Sequence, residues 1–168
     1  MKSTENGFAL VLCWPEKKCK RAYSWYDPMM KKIGVMKDDF YPVGHSAIVL
    51  INAKGDCHYF DFGRYQTPIE LGRVRDQTTD PFFSIDTKAE IADNSVTNIN
   101  AILHNIQEFE ETECEGKLVA GLLPIDFEEV YCYAKKIQNK GLIAYGPFLL
   151  NGTNCSRFVR ELMLKARL

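Results

Sequence analysis

Hydrophobic residues in the first half of the chain follow patterns typical of β-strands. Residues 8–14 form a nearly continuous apolar run, which predicts a buried strand. Residues 45–51 and 57–62 are two β-rich runs that flank the turn-forming sequence NAKGD, which predicts a β-hairpin. The segments 69–75 (IELGRVR) and 82–85 (FFSI) predict two further short strands, separated by the polar turn DQTTDP.

The hydrophobic period changes to that of a helix after Ser95. Apolar residues then recur at helical spacing, which predicts a helix of about twelve residues; they are Ile99, Ile102, Leu103, Ile106 and Phe109. The acidic sequence EFEETECEG at 108–116 is expected to end this helix in a loop. Earlier in the chain, residues 21–34 around Pro28 predict a short amphipathic helix or a turn.

The last third of the chain predicts one more strand and two more helices. Residues 117–125 have the apolar character of a strand, and Asp126 is a candidate N-cap for a helix over 127–140. Residues 142–150 are expected to be extended, and the chain then ends in a final helix. This order of elements predicts an α+β fold in which an antiparallel sheet packs against helices.

Composition and charge limit the function classes that the chain can belong to. A length of 168 residues with 46% hydrophobic residues is enough to bury a core, so we expect residues 1–168 to form a single domain. A net charge of −1 argues against a nucleic-acid partner or an anionic membrane held by bulk electrostatics. We therefore expect no nucleic-acid partner and no stable membrane insertion.

The six cysteines are scattered along the chain. They include no C-x-x-C pair and no Cys/His pair at zinc-ligand spacing, so we expect no metal site and no other cofactor. A chain with a core of this size does not need disulfides, which favours a reducing compartment and mostly buried free thiols.

The N-terminal sequence MKSTENGFALVLCWPEKK contains too short an apolar run for a signal peptide or a membrane span. Its LVLC sequence has the large Leu12 where a lipoprotein cleavage site needs a small residue, so a strand is the better interpretation. Together with the thiols this predicts a cytoplasmic location, although a leader removed from the sequence would change that prediction.

Cys155 is the first candidate for chemistry, because it opens the predicted final helix in the sequence NGTNCSRFVRELMLKA. Helix N-termini carry unpaired backbone N–H groups and the positive end of the macrodipole, which favour a thiolate. The alternative is that Cys155 simply begins the apolar stripe of the helix. Thr153 or Asn154 is the expected N-cap, and the NGT turn is expected to present backbone N–H groups at the thiol.

A nucleophilic cysteine needs a base, and the sequence offers three histidines. His104 lies on the predicted helix after Ser95 without a local partner, so it is expected to be a surface residue. His45 follows Gly44 at the start of the apolar run SAIVLI, where its ring would sit at the end of the sheet. His45 is therefore the preferred base.

The base in turn needs an acceptor that orients its ring, and the predicted hairpin supplies one on the neighbouring strand. If the loop is centred near Ala53, residue 45 lies opposite Asp61; if the centre is half a residue later, residue 62 lies opposite and His58 shares the face of His45. We prefer Asp61, because a carboxylate within the apolar sequence HYFDFG has few purely structural explanations. His58 and Tyr59 remain the alternatives for the third residue.

The three sequences GHSAIVLI, HYFDFG and NCSRFV, in that order, resemble the circularly permuted NlpC/P60 group of papain-like cysteine hydrolases. Most papain-like enzymes carry the cysteine helix before the histidine strand, whereas here Cys155 follows His45. The permuted group also includes proteins similar to lecithin retinol acyltransferase, which carry a second histidine on the paired strand; His58 does not fall cleanly on that position.

The resemblance implies a papain-like fold and hydrolysis of an amide (peptide or peptidoglycan-like) or ester bond, with Cys155 as nucleophile, His45 as general base and Asp61 as orienting residue. Two other functions remain open: a catalytically inactive binding module of the same fold, and a lipid acyltransferase or phospholipase. The sequence FDFGRYQTPIELGRVRD matches neither branch of the group. Two interpretations of its Arg64, Arg73 and Arg75 remain open: they line a binding site for an anionic group of the substrate, or they form surface ion pairs.

Overall fold

The computed structural model describes residues 6–21, 23–109 and 116–166. Within these residues the chain forms ten strands, one 3₁₀ turn at Pro81–Phe83 and four α-helices. The strands are β1 (Gly7–Trp14), β2 (Cys19–Lys20), β3 (Phe40–Tyr41), β4 (His45–Asn52), β5 (Cys57–Gly63), β6 (Leu71–Arg75), β7 (Ile91–Ala92), β8 (Ser95–Val96), β9 (Val119–Ile125) and β10 (Ile143–Ala144). The helices are α1 (Asp27–Lys32), α2 (Ile99–Gln107), α3 (Phe127–Gln138) and α4 (Cys155–Lys165).

Six of these strands form the main sheet, in the order β10-β6-β5-β4-β1-β9, and every neighbouring pair is antiparallel. The central strands β4 and β1 are buried along almost their whole length, which explains why their sequences are apolar at nearly every position. The predicted mixed α+β fold with a large antiparallel sheet and helices is confirmed.

The two faces of the sheet bury two separate hydrophobic clusters. On one face, Trp14, Val49 and Tyr59 pack with Ile102 and Ile106 of α2. On the other face, strand residues of opposite parity pack with α3 and α4; they include Ile48, Leu50, Phe60 and Phe62. The sheet therefore separates a layer containing α2 from a layer containing α3 and α4.

The hairpin of β4 and β5 forms as predicted, but its register differs from both registers that the sequence suggested. Ala47 pairs with Asp61 and Ile51 with Cys57, so the loop is centred at Lys54. The turn is fixed by Asn52, whose side-chain oxygen accepts hydrogen bonds from the backbone N–H groups of Lys54 and Asp56, both at 2.9 Å. This side-chain turn moves the centre of the loop one residue beyond Ala53.

Several other predicted elements are shorter than expected or of a different type. The predicted strand at 82–85 is instead the 3₁₀ turn and a single bridge between Ser84 and His58, because Phe83 packs inward under Tyr59 rather than extending a ladder. The helix after Ser95 begins only at Ile99, since Ser95–Val96 pairs with Ile91–Ala92. The extended segment at 142–150 contributes only β10 to the sheet, and most of the predicted loop at 108–116 lies outside the described residues.

Within the described part of the chain, no helix has both the length and the hydropathy needed to cross a membrane.

Candidate active site

Cys155 lies at the first position of α4, as the sequence predicted, and is 7% exposed. Asn154 is the N-cap, because its side-chain oxygen accepts a hydrogen bond from the backbone N–H of Arg157 at 2.8 Å. The expectation that the NGT turn presents N–H groups at the thiol was wrong. The N–H of Gly152 donates to Leu149 at 3.3 Å and that of Thr153 donates to Ala144 at 2.9 Å, so the turn uses these donors to hold its own loop.

His45 opens β4 directly after Gly44, whose φ of +70° is left-handed. A Cβ on Gly44 would lie 2.9 Å from the carbonyl oxygen of Trp14, so the close approach of the chain to the end of β1 requires glycine here. Trp14 is also the cross-strand partner of His45, and their ring centroids are 5.8 Å apart. Backbone geometry and an indole ring thus fix the imidazole at the end of the sheet.

The structure brings His45 together with both of the other predicted site residues. Its Nε2 lies 3.4 Å from Oδ2 of Asp61, and the ring lies close enough to the Cys155 thiol for each of these two groups to shift the pKa of the other. Because Nε2 faces Asp61 and the hydroxyl of Tyr65, Nδ1 is the ring nitrogen available to the thiol.

The cysteine and the histidine reach this contact from opposite layers of the fold. His45 has the parity of Ala47 and Val49, which face α2, whereas α4 packs on the other face of the sheet. The two side chains can meet because each lies at the very start of its element. The hydroxyl groups of Ser46 and Ser156, the residues that follow them, are 3.3 Å apart at the same junction.

The electrostatics of the pair favour a thiolate and an imidazolium. Burial acts to raise the pKa of Cys155, but the hydrogen bond and charge of His45, with a backbone hydrogen bond from Ser46, outweigh it and hold that pKa below 9.0. Burial acts to lower the pKa of His45, but the hydrogen bonds to Asp61 and Cys155 outweigh it and raise that pKa to about 9. Each partner thus stabilises the charged form of the other.

Asp61 reaches His45 although it is not its direct cross-strand neighbour. It pairs with Ala47, one same-face position further along β4, so its carboxylate contacts the ring diagonally. Its alternative His58 pairs with Leu50 on the opposite face and contacts the rings of Phe127 and Tyr131. Parity therefore excludes His58 as the residue that orients His45.

Tyr59, the other alternative, shares the face of Asp61 and donates a hydrogen bond to its Oδ2 at 3.3 Å. It therefore helps to hold the Asp61 carboxylate in place.

His104, expected at the surface, has a side chain that is 77% exposed, and its Nε2 lies 3.5 Å from a carboxylate oxygen of Glu108.

Arg75 is the main partner of Asp61, and sequence reasoning had considered it only for substrate binding or a surface ion pair. Its Nε and Nη2 donate to the two carboxylate oxygens at 3.0 and 2.7 Å, and both residues are almost fully buried. Burial acts to raise the pKa of Asp61, but the bonds from His45 and Arg75 hold it below its usual range. The signal for this role is the register of β5 and β6, which sets Arg75 directly opposite Asp61.

Tyr65 covers this charge pair and was not anticipated from the sequence. Its ring centroid lies 3.1 Å from Cζ of Arg75, and its hydroxyl lies 3.4 Å from Nε2 of His45. A Cβ on Gly63 would lie 2.2 Å from the Tyr65 ring, so the strand leaves room for the tyrosine by having no side chain there. Nothing in the local sequence distinguishes Tyr65 from other tyrosines.

Arg73 and Arg64 have partners of different kinds. Arg73 forms a two-point ion pair with Asp80 at 2.7 and 2.6 Å. Arg64 donates hydrogen bonds to the backbone carbonyls of Arg21 and Lys20, and its guanidinium lies 5.0 Å from the Tyr145 ring centroid. The charge of Arg73 is therefore neutralised by a carboxylate, whereas carbonyl groups leave the charge of Arg64 in place.

Two cavities border the site. One, here called the basic cavity, has a volume of about 430 Å³ and is lined by His45 and Tyr65 together with Lys17, Lys18, Lys20 and Arg64. The other, here called the apolar cavity, has a volume of about 280 Å³ and is lined by Asn154 and by Tyr26, Met30, Val35, Val43 and Phe148. Cys19, Lys20 and Tyr145 line both cavities and therefore lie where the two meet.

The cysteines in the described part of the chain are all free thiols, of which Cys57 and Cys155 are buried and Cys132 is exposed. Among the described residues, no group of three or more His, Cys, Asp or Glu side chains could hold a metal ion.

The chain as a whole is similar to known proteins. A family model described as type VI secretion system effector TseH-like matches residues 9–167. The crystal structure of the type VI secretion system effector TseH is similar in fold, with a TM-score of 0.62 and 20% identity over 99% of this chain and 79% of that one. No curated protein matches the chain significantly.

Proposed function

Because the chain belongs to the family of TseH-like type VI secretion system effectors, we propose that it acts as a cysteine hydrolase of the permuted papain-like, NlpC/P60 type. It cleaves an amide or ester bond through an acyl-enzyme on Cys155. The observation that carries the proposal is that the starts of β4 and α4 meet, with the hydroxyl groups of Ser46 and Ser156 3.3 Å apart, while the His45 ring at this junction lies 3.4 Å from the Asp61 carboxylate. His45 and Asp61 come from the hairpin of β4 and β5, and Cys155 comes from α4, which is far from the hairpin in the sequence.

In the first step, the Cys155 thiolate attacks the substrate carbonyl carbon and forms a C–S bond. The bond between the carbonyl carbon and the leaving nitrogen or oxygen then breaks, and the His45 imidazolium gives its proton to the leaving atom. In the second step, neutral His45 takes a proton from water, whose oxygen attacks the thioester carbon; the C–S bond then breaks, which releases the acid and returns the Cys155 thiolate beside the His45 imidazolium. Asp61 keeps the ring oriented and stabilises the imidazolium at both stages.

The negative oxygen of the tetrahedral intermediate needs hydrogen-bond donors, and the first turn of α4 supplies candidates. The first N–H groups of a helix have no intrahelical acceptor, so the backbone N–H of Cys155 is free to donate to the oxyanion. The positive end of the helix dipole favours the same charge. This arrangement supports acyl transfer over a purely structural role for the cysteine.

The proposal is tested by the reactivity of the thiol and by turnover. At about pH 6, iodoacetamide should alkylate Cys155 much faster than the exposed Cys132, because a thiolate reacts and a thiol does not. Cys155→Ser should reduce hydrolysis of a library of amide and ester substrates by at least about a thousandfold and leave the circular dichroism spectrum unchanged.

Equal alkylation of Cys155 and Cys132 would contradict the thiolate–imidazolium pair. Selective alkylation without any turnover across the library would favour a binding module that retains the fold.

A further inference from the structure

The two cavities that border the candidate site differ in charge, and this difference constrains what the substrate can look like. Of the cations around the basic cavity, Arg73 and Arg75 are neutralised by Asp80 and Asp61. Within residues 6–21, 23–109 and 116–166, Lys18, Lys20 and Arg64 form no ion pair with a carboxylate. The basic cavity therefore keeps a positive charge that no carboxylate of the described residues neutralises.

The apolar cavity has the opposite character. Its walls are made largely of hydrocarbon and aromatic groups, and Tyr26 and Phe148 contact each other edge to face with ring centroids 5.1 Å apart. Val43 and Phe148 are 62% and 57% exposed, which is unfavourable for apolar side chains unless something covers them. Arg157 of α4 donates to the carbonyl groups of Gly146, Pro147 and Leu149, so this wall is attached to the helix that carries Cys155.

The start of α4 lies near the junction of the two cavities, because Asn154, next to Cys155, lines the apolar cavity and His45 lines the basic one. Burial and the neighbouring charge of Cys155 together raise the pKa of Cys19 to about 11. Burial and the charge of Cys155 likewise raise the pKa of Tyr145. Since Cys19 and Tyr145 line both cavities, a carbonyl bound at the thiol would extend one way into the basic cavity and the other way into the apolar cavity.

The chemistry of the reaction fixes which part of the substrate occupies which cavity. His45 must reach the leaving atom to protonate it, and His45 lines the basic cavity. The acyl group stays bound to the sulfur beside the helix N-terminus, and Asn154, the N-cap of that helix, lines the apolar cavity. The leaving group therefore departs through the basic cavity, and the acyl group remains in the apolar one.

We propose that the preferred substrate joins an apolar acyl group to a leaving group that carries a negative charge, as a carboxylate or a phosphate. The inference rests on the proposed hydrolase function and adds the substrate class to it. The exposed lysines and Arg64 bind the anionic leaving group, and the apolar cavity binds the acyl group.

Four chromogenic esters test both halves of the proposal. They combine an acetyl or an octanoyl group with 4-nitrophenol or 3-carboxy-4-nitrophenol as the leaving group. The octanoyl ester should exceed the acetyl ester in kcat/KM by at least about tenfold, because several methylene groups leave water on binding. For each acyl group, the carboxylated ester should be the better substrate, and this advantage should shrink as salt is added.

Paired variants test the contribution of each cavity separately. Lys18→Glu together with Lys20→Glu should lower kcat/KM for the carboxylated esters by about three- to tenfold and leave the neutral esters nearly unchanged. Lys54→Glu, on the hairpin turn at the far end of β4 from His45, is the matched control and should change neither. Val43→Asp should remove the octanoyl preference, whereas Val119→Asp, on the edge strand β9, should not.

Competing anions distinguish the two kinds of charged group. Inhibition of the carboxylated ester by succinate but not by inorganic phosphate would assign the basic cavity to carboxylates, and the reverse would assign it to phosphates. Absence of inhibition by either at millimolar concentration would overturn the anionic half of the proposal.

Failure of this inference can be told apart from failure of the proposed function. If Cys155 is selectively alkylated and Cys155→Ser is inactive, but the four esters react equally in the parent chain and in the lysine and valine variants, the hydrolase stands and the substrate class is wrong. If Cys155→Ser hydrolyses the esters as fast as the parent chain, the hydrolase proposal itself is wrong. Lys18→Glu alone changes the net charge by the same amount as Lys54→Glu, and an equal effect of these two single changes would reduce the result to net charge and would also overturn the inference.

Discussion

At the scale of single residues, the Asp61 carboxylate holds two cations in a fully buried position. Arg75 binds both carboxylate oxygens, and His45 contacts one of them. Replacing one member of such a pair leaves an uncompensated charge in the core, which is strongly unfavourable. Asp61, the candidate orienting residue, is thus also part of the core of the fold.

A double-mutant cycle should measure how strongly Asp61 and Arg75 depend on each other for the stability of the fold. Asp61→Asn and Arg75→Met should each lower the free energy of unfolding by about 3–5 kcal/mol, and the double change should cost no more than either single one. The less buried pair of Arg73 and Asp80, with side chains 21% and 8% exposed, is the comparison, and Arg73→Met should cost less than Arg75→Met, about 2 kcal/mol. Urea unfolding measures all four; additive losses at Asp61 and Arg75 would contradict their coupling.

The pH dependence of turnover and of alkylation should differ. Turnover needs both the thiolate and the imidazolium, so kcat/KM should fall as pH decreases through the lowered pKa of Cys155 and fall again as pH rises through the His45 pKa of about 9. Alkylation by iodoacetamide needs only the thiolate, so its rate should not fall on the alkaline side. Parallel profiles of the two rates would contradict separate roles for the two groups.

At the scale of elements, α3 and α4 begin with the same kind of cap, and only α4 carries the candidate nucleophile. Asp126 accepts a hydrogen bond from Glu129 at 3.1 Å, and Asn154 accepts one from Arg157 at 2.8 Å. The two helices therefore form a natural pair for asking whether the start of α4 does more than stabilise the helix.

Replacing each cap by alanine answers that question. Asn154→Ala and Asp126→Ala should each lower the free energy of unfolding by about 1 kcal/mol, since each leaves one backbone N–H without its acceptor. Only Asn154→Ala should also slow alkylation of Cys155, because it loosens the turn that holds the thiol against His45. Thermal unfolding and mass-spectrometric alkylation rates measure the two effects; equal alkylation rates in both variants would contradict a positioning role for Asn154.

The elements also show what the sequence could predict. Apolar runs and helical spacing were sufficient for β1, the β4–β5 hairpin, α3 and α4, because each buries a continuous face. The register was not predictable, since the side chain of Asn52 sets the turn, and a shift of one residue changes the partner of every position. Asp61 was chosen on a register that the structure does not have, and it contacts His45 only because the diagonal neighbour lies on the same face.

The roles of Arg75 and Tyr65 depend on contacts that no local pattern contains. Arg75 binds Asp61 because β6 pairs with β5, and Tyr65 covers both Arg75 and His45 from the segment that joins these two strands. Neither role could therefore be predicted without the tertiary structure.

At the scale of the whole molecule, the candidate site depends on both layers of the fold. His45 is held by Trp14 on the α2 side of the sheet, and Cys155 by a helix packed on the opposite side. Neither layer alone contains the thiol–imidazole contact. The enhanced reactivity of Cys155 should therefore exist only while the sheet and both of its helical layers are intact.

This dependence predicts how the site is lost on unfolding. With increasing urea, the ratio of the alkylation rate of Cys155 to that of Cys132 should fall to about one in the same transition in which the far-UV circular dichroism is lost, as a two-state domain requires. Cys132 is an exposed thiol on α3 and serves as the internal control, since unfolding changes its environment little. Quenched alkylation followed by peptide mass spectrometry gives both rates in one sample. A fall in the ratio at a urea concentration well below the global transition would contradict the prediction, because it would mean that the start of α4 separates from His45 while the sheet remains folded.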